Sequence, residues 1–291
     1  MSPRYPVYVI SKGRASTALT PLFLERDGVP HKIVVEPQER DAYANRFGAD
    51  RVEVLPFSNL GLGGIPARNW CWEHSRAAGA RRHWILDDNM RMVRRLYRGK
   101  RVRCHAGKAF AATEDFIDRF SNVAVGGLNY SMFVLNDTPV PFYLNVHVYS
   151  CLLIDNALTE RWRGRYNEDT DLCLQVLAAG LCTVLVNAFT VDKMQTMKMA
   201  GGNSSQLYQG DGRLRMARSL ERVWPYVVSV DRRFKRPQHV VRAGWRKFTT
   251  PLQHRPNYVP GPPSEYGLTL EAVGDVKSPR LKELLETCKK P

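Results

Sequence analysis

The sequence predicts an α/β fold built on a mostly parallel sheet. In the first ninety residues short apolar runs alternate with stretches of helical periodicity, and a polar or glycine-bearing loop follows each run. The 291-residue chain, 44% hydrophobic, is also long enough to bury a full core without disulfide or metal staples. Residues 6–11 (PVYVIS) read as a buried strand that ends in the polar loop Lys12-Gly13-Arg14. Leu19, Leu22 and Phe23 give residues 17–26 a helical spacing, which Gly28 and Pro30 terminate. Residues 31–36 (HKIVVE) form the second strand, 39–47 the second helix and 51–55 (RVEVL) the third strand. A glycine loop then leads into a helix over 65–78, and the strand 83–86 runs straight into Asp87-Asp88-Asn89. Beyond residue 110 the pattern is more mixed. It has a helix at 113–120, extended runs at 122–128 and 142–154, a helix at 168–179 and a strand at 182–187. A loop rich in Met, Lys and Gly follows, and prolines at 251, 256, 260, 262 and 263 precede a short terminal helix near 277–288.

The charge points to a partner. Forty-three Lys and Arg against 28 Asp and Glu leave a formal charge of +15, which suits a polyanion such as nucleic acid. The excess is concentrated: residues 91–108 hold eight basic residues and no acid, and residues 213–255 hold twelve against Glu221 and Asp231. Trp224, Tyr226, Phe234, Trp245 and Phe248 interleave with the second run, as stacking on bases would use, although aromatics more often simply fill a core. Six scattered cysteines without a CxxC pair suggest a reducing, cytoplasmic home. The amino terminus lacks the layout of a signal peptide, and no membrane contact is expected.

Parallel sheets place ligands at the carboxyl ends of their strands, so the loops after the first, second and fourth strands are where chemistry is expected. The loop Gly61-Leu62-Gly63-Gly64 is not a dinucleotide fingerprint, because proline occupies position 66. It opens a helix with Pro66 in the first turn and Arg68 behind it, an arrangement that can hold an anion or simply turn the chain. Asp87-Asp88-Asn89 puts two carboxylates and an amide at a strand tip, suited to Mn2+ or Mg2+ bridged to a diphosphate, although a solvated turn uses the same residues. Glu168, Asp169 and Asp171 crowd a helix start, where acids also complement the helix dipole. Together the two clusters match what glycosyl transfer to an alcohol needs: charge neutralisation for the leaving group and a carboxylate base for the acceptor.

The run GLGGIPARNWCWEHSRAAGARRHWILDDN resembles the glycine, ARN-helix, strand and acidic-triplet segment of family 2-like glycosyltransferases with the GT-A fold. The NED at 167–169 resembles their ED motif. With SKGR after the first strand, the segment 143–150 and Gly201-Gly202-Asn203, the chain most resembles the TET-associated glycosyltransferases of phages. That resemblance implies a Rossmann-like mixed sheet flanked by helices, with a GT-A catalytic domain over 1–236 and a basic, proline-containing extension over 237–291. It implies an inverting, metal-dependent hexosyltransferase that moves a sugar from a UDP-linked donor to a 5-hydroxymethylpyrimidine in DNA, 5-hydroxymethylcytosine above all. Carried over by motif, Ser11 and Arg14 line the nucleoside pocket, Glu36 reaches the uracil or ribose, and Arg68 sits near the nucleotide. Asp87, Asp88 and Asn89 contact ribose and metal, with Asn89 standing where the family often has a third acid. Asp169, or failing it Glu168, is the base. Lys193, Lys198, Gly201 and Gly202 close over the diphosphate. His239 and His254 are the available late histidines, read as ordinary polar residues. Rival readings are a glycosyltransferase for a polysaccharide, lipid or protein, a nucleotidyltransferase, and a non-catalytic DNA-binding protein on the same scaffold.

Overall fold

The computed structural model describes residues 2–97, 99–138, 140–194, 201, 210–233 and 236–258. Along the first half lie β1 (Val7–Ile10), α1 (Thr20–Arg26), β2 (Lys32–Val35), α2 (Arg40–Phe47), β3 (Val52–Val54), α3 (Ile65–Ala77) and β4 (Arg82–Asp87). The expected helices and strands are all here, within a few residues of their predicted bounds. Then come β5 (Met90–Tyr97), β6 (Lys100–Cys104), α4 (Ala106–Asp118), β7 (Val123–Tyr130), β8 (Phe142–Leu144), β9 (Cys151–Asp155), α5 (Glu168–Ala178) and β10 (Cys182–Lys193). The last described elements are α6 (Gly212–Val223), β11 (Val228–Arg233) and β12 (Arg236–Val241).

Ten strands form one mixed sheet in the order β3-β2-β1-β4-β9-β7-β10-β5-β6, with β8 paired to the first half of β10. Strands β3, β2, β1 and β4 are mutually parallel, as are β7 and β10, while β9 runs antiparallel between the two sets. Period-two alternation divides each strand between two cores. Val7, Val9, Trp84 and Leu86 pack with Phe23 and Leu24 of α1 and Ala109 and Phe110 of α4. On the opposite face Tyr8 and Ile85 meet Cys71 of α3, and Leu152 and Ile154 meet Leu172 and Val176 of α5. The result is three layers, with helices on both sides of the sheet.

The structure differs from the sequence reading in four places. The basic window 91–108 contains the β5–β6 hairpin at the sheet edge and the start of α4, which begins at Ala106 and not near 113. The run 142–154 is two strands separated by Asn145 and Ser150, both at positive φ (56° and 63°). Strand β10 continues past Asn187 to Lys193 through a register shift between Val186 and Thr190. The 236/237 boundary falls inside the β11–β12 hairpin. Residues beyond it are tied to the sheet: Asn122 donates to Pro251 O at 2.8 Å, and Asn145 to Phe248 O at 3.1 Å and Thr250 O at 2.8 Å. The predicted helix near 277–288 and prolines 260, 262 and 263 lie outside the described residues.

Candidate active site

Asp87 ends β4 and Asp88 opens the turn that follows, and the two side chains meet different partners. Asp88 turns toward the β1 loop. Ser11 Oγ donates to its Oδ2 at 2.5 Å and Arg14 Nη1 to its Oδ1 at 2.6 Å. Tyr43 of α2 braces both partners, 2.6 Å from Ser11 Oγ and accepting from Arg14 N at 3.1 Å. Burial keeps the Asp88 pKa raised even against Ser11 and Arg14. Glu36, at the end of β2, accepts from Lys12 Nζ and Gln38 Nε2, both at 2.7 Å. Gly201 closes on the same loop: its carbonyl accepts from Arg14 Nη2 at 3.0 Å. A Cβ at Gly201 would stand 2.3 Å from Gly13 O, and its φ of +81° suits glycine alone. Gly202 and Lys198 lie outside the described residues.

Asp87 turns to the α3 and α5 face. Arg68, on the first turns of α3, donates to Asp87 Oδ1 at 3.0 Å, and its guanidinium also lies 3.7 Å from Glu168 and 3.8 Å from Asp169. The Trp162 ring supports the guanidinium from 4.8 Å. Lys193 Nζ, at the end of β10, donates to Asp87 Oδ2 at 2.7 Å, Ser150 Oγ at 2.7 Å and Tyr130 OH at 3.0 Å. Burial alone would raise the Asp87 pKa, but Lys193 and Arg68 hold it far below the usual carboxylate range.

Asp169 stands in the first turn of α5, where the Ser150 N–H donates to its Oδ2 at 3.1 Å and its Oδ1 is buried without a hydrogen-bond partner. Burial, reinforced by Glu168 and Asp87 and opposed by Arg68, pushes its pKa up to about 7. A carboxylate tuned to neutrality is what a general base requires. The third acid of that helix start is structural. Asp171 receives a bidentate pair from Arg163 (2.8 and 3.1 Å) and a bond from Trp224 Nε1 at 2.7 Å.

The structure therefore gathers Ser11, Arg14, Asp88 and Gly201 into one group and Arg68, Asp87, Glu168, Asp169 and Lys193 into an adjoining one. Glu36 joins through Lys12. Three residues of the site carried no sequence signal of their own: Tyr43, Tyr130 and Trp162. Ser150 lay at the end of the segment 143–150. His239 pairs with Thr170 at 3.3 Å and His254 packs on Phe120, so neither faces the acidic triplet. Of the aromatics expected to stack on bases, Trp224, Trp245 and Phe248 pack against the buried cluster of Leu174, Leu220, Val228 and Val241, Tyr226 is exposed, and Phe234 lies outside the described residues.

A profile of TET-associated glycosyltransferases matches residues 5–202, a span that holds every side chain of both groups. The chain belongs to that family. Comparison with curated proteins returned no match. As a TET-associated glycosyltransferase it is an enzyme of sugar transfer, and the clustered acids and cations at the carboxyl edge of its sheet are its candidate catalytic groups. Among the described residues no helix is long and apolar enough to cross a membrane.

The donor set can be tested against a divalent cation. Among the described residues no three His, Cys, Asp or Glu side chains converge to hold one. All four oxygens of Asp87 and Asp88 already meet Arg68, Lys193, Arg14 or Ser11. Yet Asn89 Oδ1 is buried without a partner beside them. Four acids (Asp87, Asp88, Glu168, Asp169) face three cations (Arg14, Arg68, Lys193), so this set carries no net positive charge against an incoming diphosphate. An ion here would have to share these oxygens with their present partners and bring phosphate oxygens as its other ligands, the usual mode for Mg2+ and Mn2+.

Proposed function

We propose that this glycosyltransferase, with a GT-A fold, moves a sugar from a UDP-linked donor to the hydroxyl of a 5-hydroxymethylpyrimidine in DNA, 5-hydroxymethylcytosine in the first place. The observation that carries the proposal is the meeting of two acidic clusters, Asp87 from one and Glu168 and Asp169 from the other, on the single guanidinium of Arg68. The leaving-group side and the acceptor side of a displacement are thereby within one side chain of each other.

In this reading the nucleoside lies against Ser11, Arg14, Glu36 and Asp88, and the diphosphate runs toward Arg68, Lys193 and Gly201. Asp87, Asp88 and Asn89 would hold Mn2+ or Mg2+, whose chemistry is to neutralise charge on the departing diphosphate. Asp169 takes the proton of the acceptor hydroxymethyl group. The freed oxygen pair forms the new bond to the anomeric carbon as the bond to the diphosphate oxygen breaks, inverting that carbon. Arg68 and Lys193 stabilise the charge that builds on the leaving oxygens. Glu168, half-buried at the helix start, is the second-choice base.

The DNA acceptor is supported by charge placement. Arg91, Lys100, Arg101 and Arg103 are exposed on the β5–β6 hairpin, and Arg215, Arg218 and Arg222 form a stripe on α6 at i, i+3 and i+7. The test is incubation of the full chain with UDP-sugars, Mn2+ and oligonucleotides that carry 5-hydroxymethylcytosine or 5-hydroxymethyluracil. The expected result is a hexose mass increment on the oligonucleotide with release of UDP. Unaltered DNA across a broad donor panel, with transfer to a glycan, lipid or peptide instead, would overturn the acceptor assignment.

A further inference from the structure

The turn that follows β7 exposes three large apolar side chains in four residues: Met132 at 51%, Phe133 at 59% and Leu135 at 63%. Exposed apolar clusters of this kind need a reason, because each sits in water at a cost that burial would recover. This turn lies at the candidate active site. Phe133 packs 5.8 Å from the Tyr130 ring and 6.5 Å from the Tyr149 ring, and the Tyr130 hydroxyl accepts from Lys193, which also holds Asp87. The turn is also fixed to the basic hairpin: Arg101 of β6 donates to Ser131 O and, at 3.2 Å, to Asn136 Oδ1. Ser131 is further anchored to β10 by a 2.8 Å hydroxyl contact with Thr190 and by its N–H to Val191 O at 3.0 Å.

An apolar tip anchored by hydrogen bonds, flanked on one side by exposed arginines and on the other by the candidate catalytic carboxylates, matches the chemistry of a stacked polyanion. The arginines suit phosphates, the apolar tip suits the faces of bases, and the carboxylates stand where an extruded base would present its hydroxyl. Resting on the DNA-acceptor reading above, we propose that Met132, Phe133 and Leu135 form a wedge that enters duplex DNA beside the target pyrimidine and fills the stack when that nucleotide is flipped toward Asp169. An enzyme that acts on a base inside a duplex must extrude it, and an inserted apolar side chain offsets the lost stacking. The wedge is needed only for duplex substrates. A single strand already presents its bases.

The test compares wild type with Phe133→Ala/Leu135→Ala on two acceptors of one sequence, a duplex and its single strand, each with a modified pyrimidine beside 2-aminopurine. Both residues are exposed, and unchanged thermal melting confirms that the variant folds. In the absence of donor, wild type raises 2-aminopurine fluorescence in the duplex and the variant does not. With donor, kcat/KM of the variant falls roughly 5- to 150-fold on duplex, the span of one lost base stack, and stays within about twofold on the single strand. Phe133→Trp, which keeps a flat apolar tip, restores duplex activity. Equal loss on both acceptors, or none on either, overturns the wedge. The two readings separate as follows: unstacking by wild type without sugar transfer sinks the acceptor assignment and keeps the wedge, whereas transfer to duplex without unstacking does the reverse.

Discussion

Replacing Asp169 by Asn keeps the size of the side chain and its acceptor for the Ser150 N–H but removes the titrating oxygen. In its proposed role as general base, Asp169 should contribute roughly a hundred- to ten-thousand-fold to kcat, and the Asn variant should lose that factor. With a pKa of about 7, the wild-type kcat/KM rises tenfold per pH step below neutrality and levels off above it, while the variant's residual rate lacks that rise. Stability moves the other way. A carboxylate whose pKa is raised on folding binds more protons folded than unfolded between about pH 4 and 7, so its contribution falls as pH rises through that window and is least favourable above it. Removing the charge should therefore stabilise the fold at pH 8 by on the order of 2–4 kcal/mol and change it little at pH 4. The assays are UDP release against pH and urea unfolding at both pH values. A variant within tenfold of wild type, or one that keeps the pH-dependent rise, would refute the assignment of the base. A variant less stable at pH 8 would refute the electrostatic account.

Arg14→Ala removes a guanidinium that holds both Asp88 and Gly201. It should weaken UDP binding about tenfold or more in calorimetry, the scale of a charged hydrogen bond, and an unaltered Kd would remove Arg14 from the pocket. Omitting Mn2+ and Mg2+ should weaken nucleotide-sugar binding in a thermal-shift series, whereas equal shifts with EDTA would show that Arg68 and Lys193 suffice. Gly127→Ala places a Cβ 2.2 Å from Cys151 O and 2.6 Å from Val148 Cγ1, so the β7–β9 pair must part. The expected loss is about 3 kcal/mol or more in urea, and a change below 1 kcal/mol would count against this packing. Arg82, fully buried, holds Asp118 at 3.0 Å, Asp155 at 3.3 Å and Val123 O at 2.9 Å. Arg82→Met should cost about 3 kcal/mol because Asp155 loses its ion-pair partner and Val123 O its donor, while Asp118 keeps Arg4 and Arg81, and an unchanged denaturation midpoint would contradict it.

The first half of the fold was legible because its signals are local. Val7, Val9, Trp84 and Leu86 alternate with residues of the other face within a few positions, and the helices between them carry their own apolar spacing. The same locality brought Ser11, Arg14 and the acidic triplet into view, since strand-end loops in a parallel sheet converge by topology alone. Locality also explains the misses. The β5–β6 hairpin reads as a charge run because one edge of it faces water, and the aromatics among the basic residues of 213–255 read as free rings because their partners Leu174 and Asp171 come from α5. What the amino-acid order determined, then, is which residue types stand at the strand tips. Only the folded sheet decided their partners. The register of β4 against β10, set by β9 and β7 between them, brings Lys193 onto Asp87 from 106 positions away, and the packing of α3 beside α5 lets one arginine span both acidic clusters. Such pairings depend on distances across the sheet, and no periodicity along the chain encodes those.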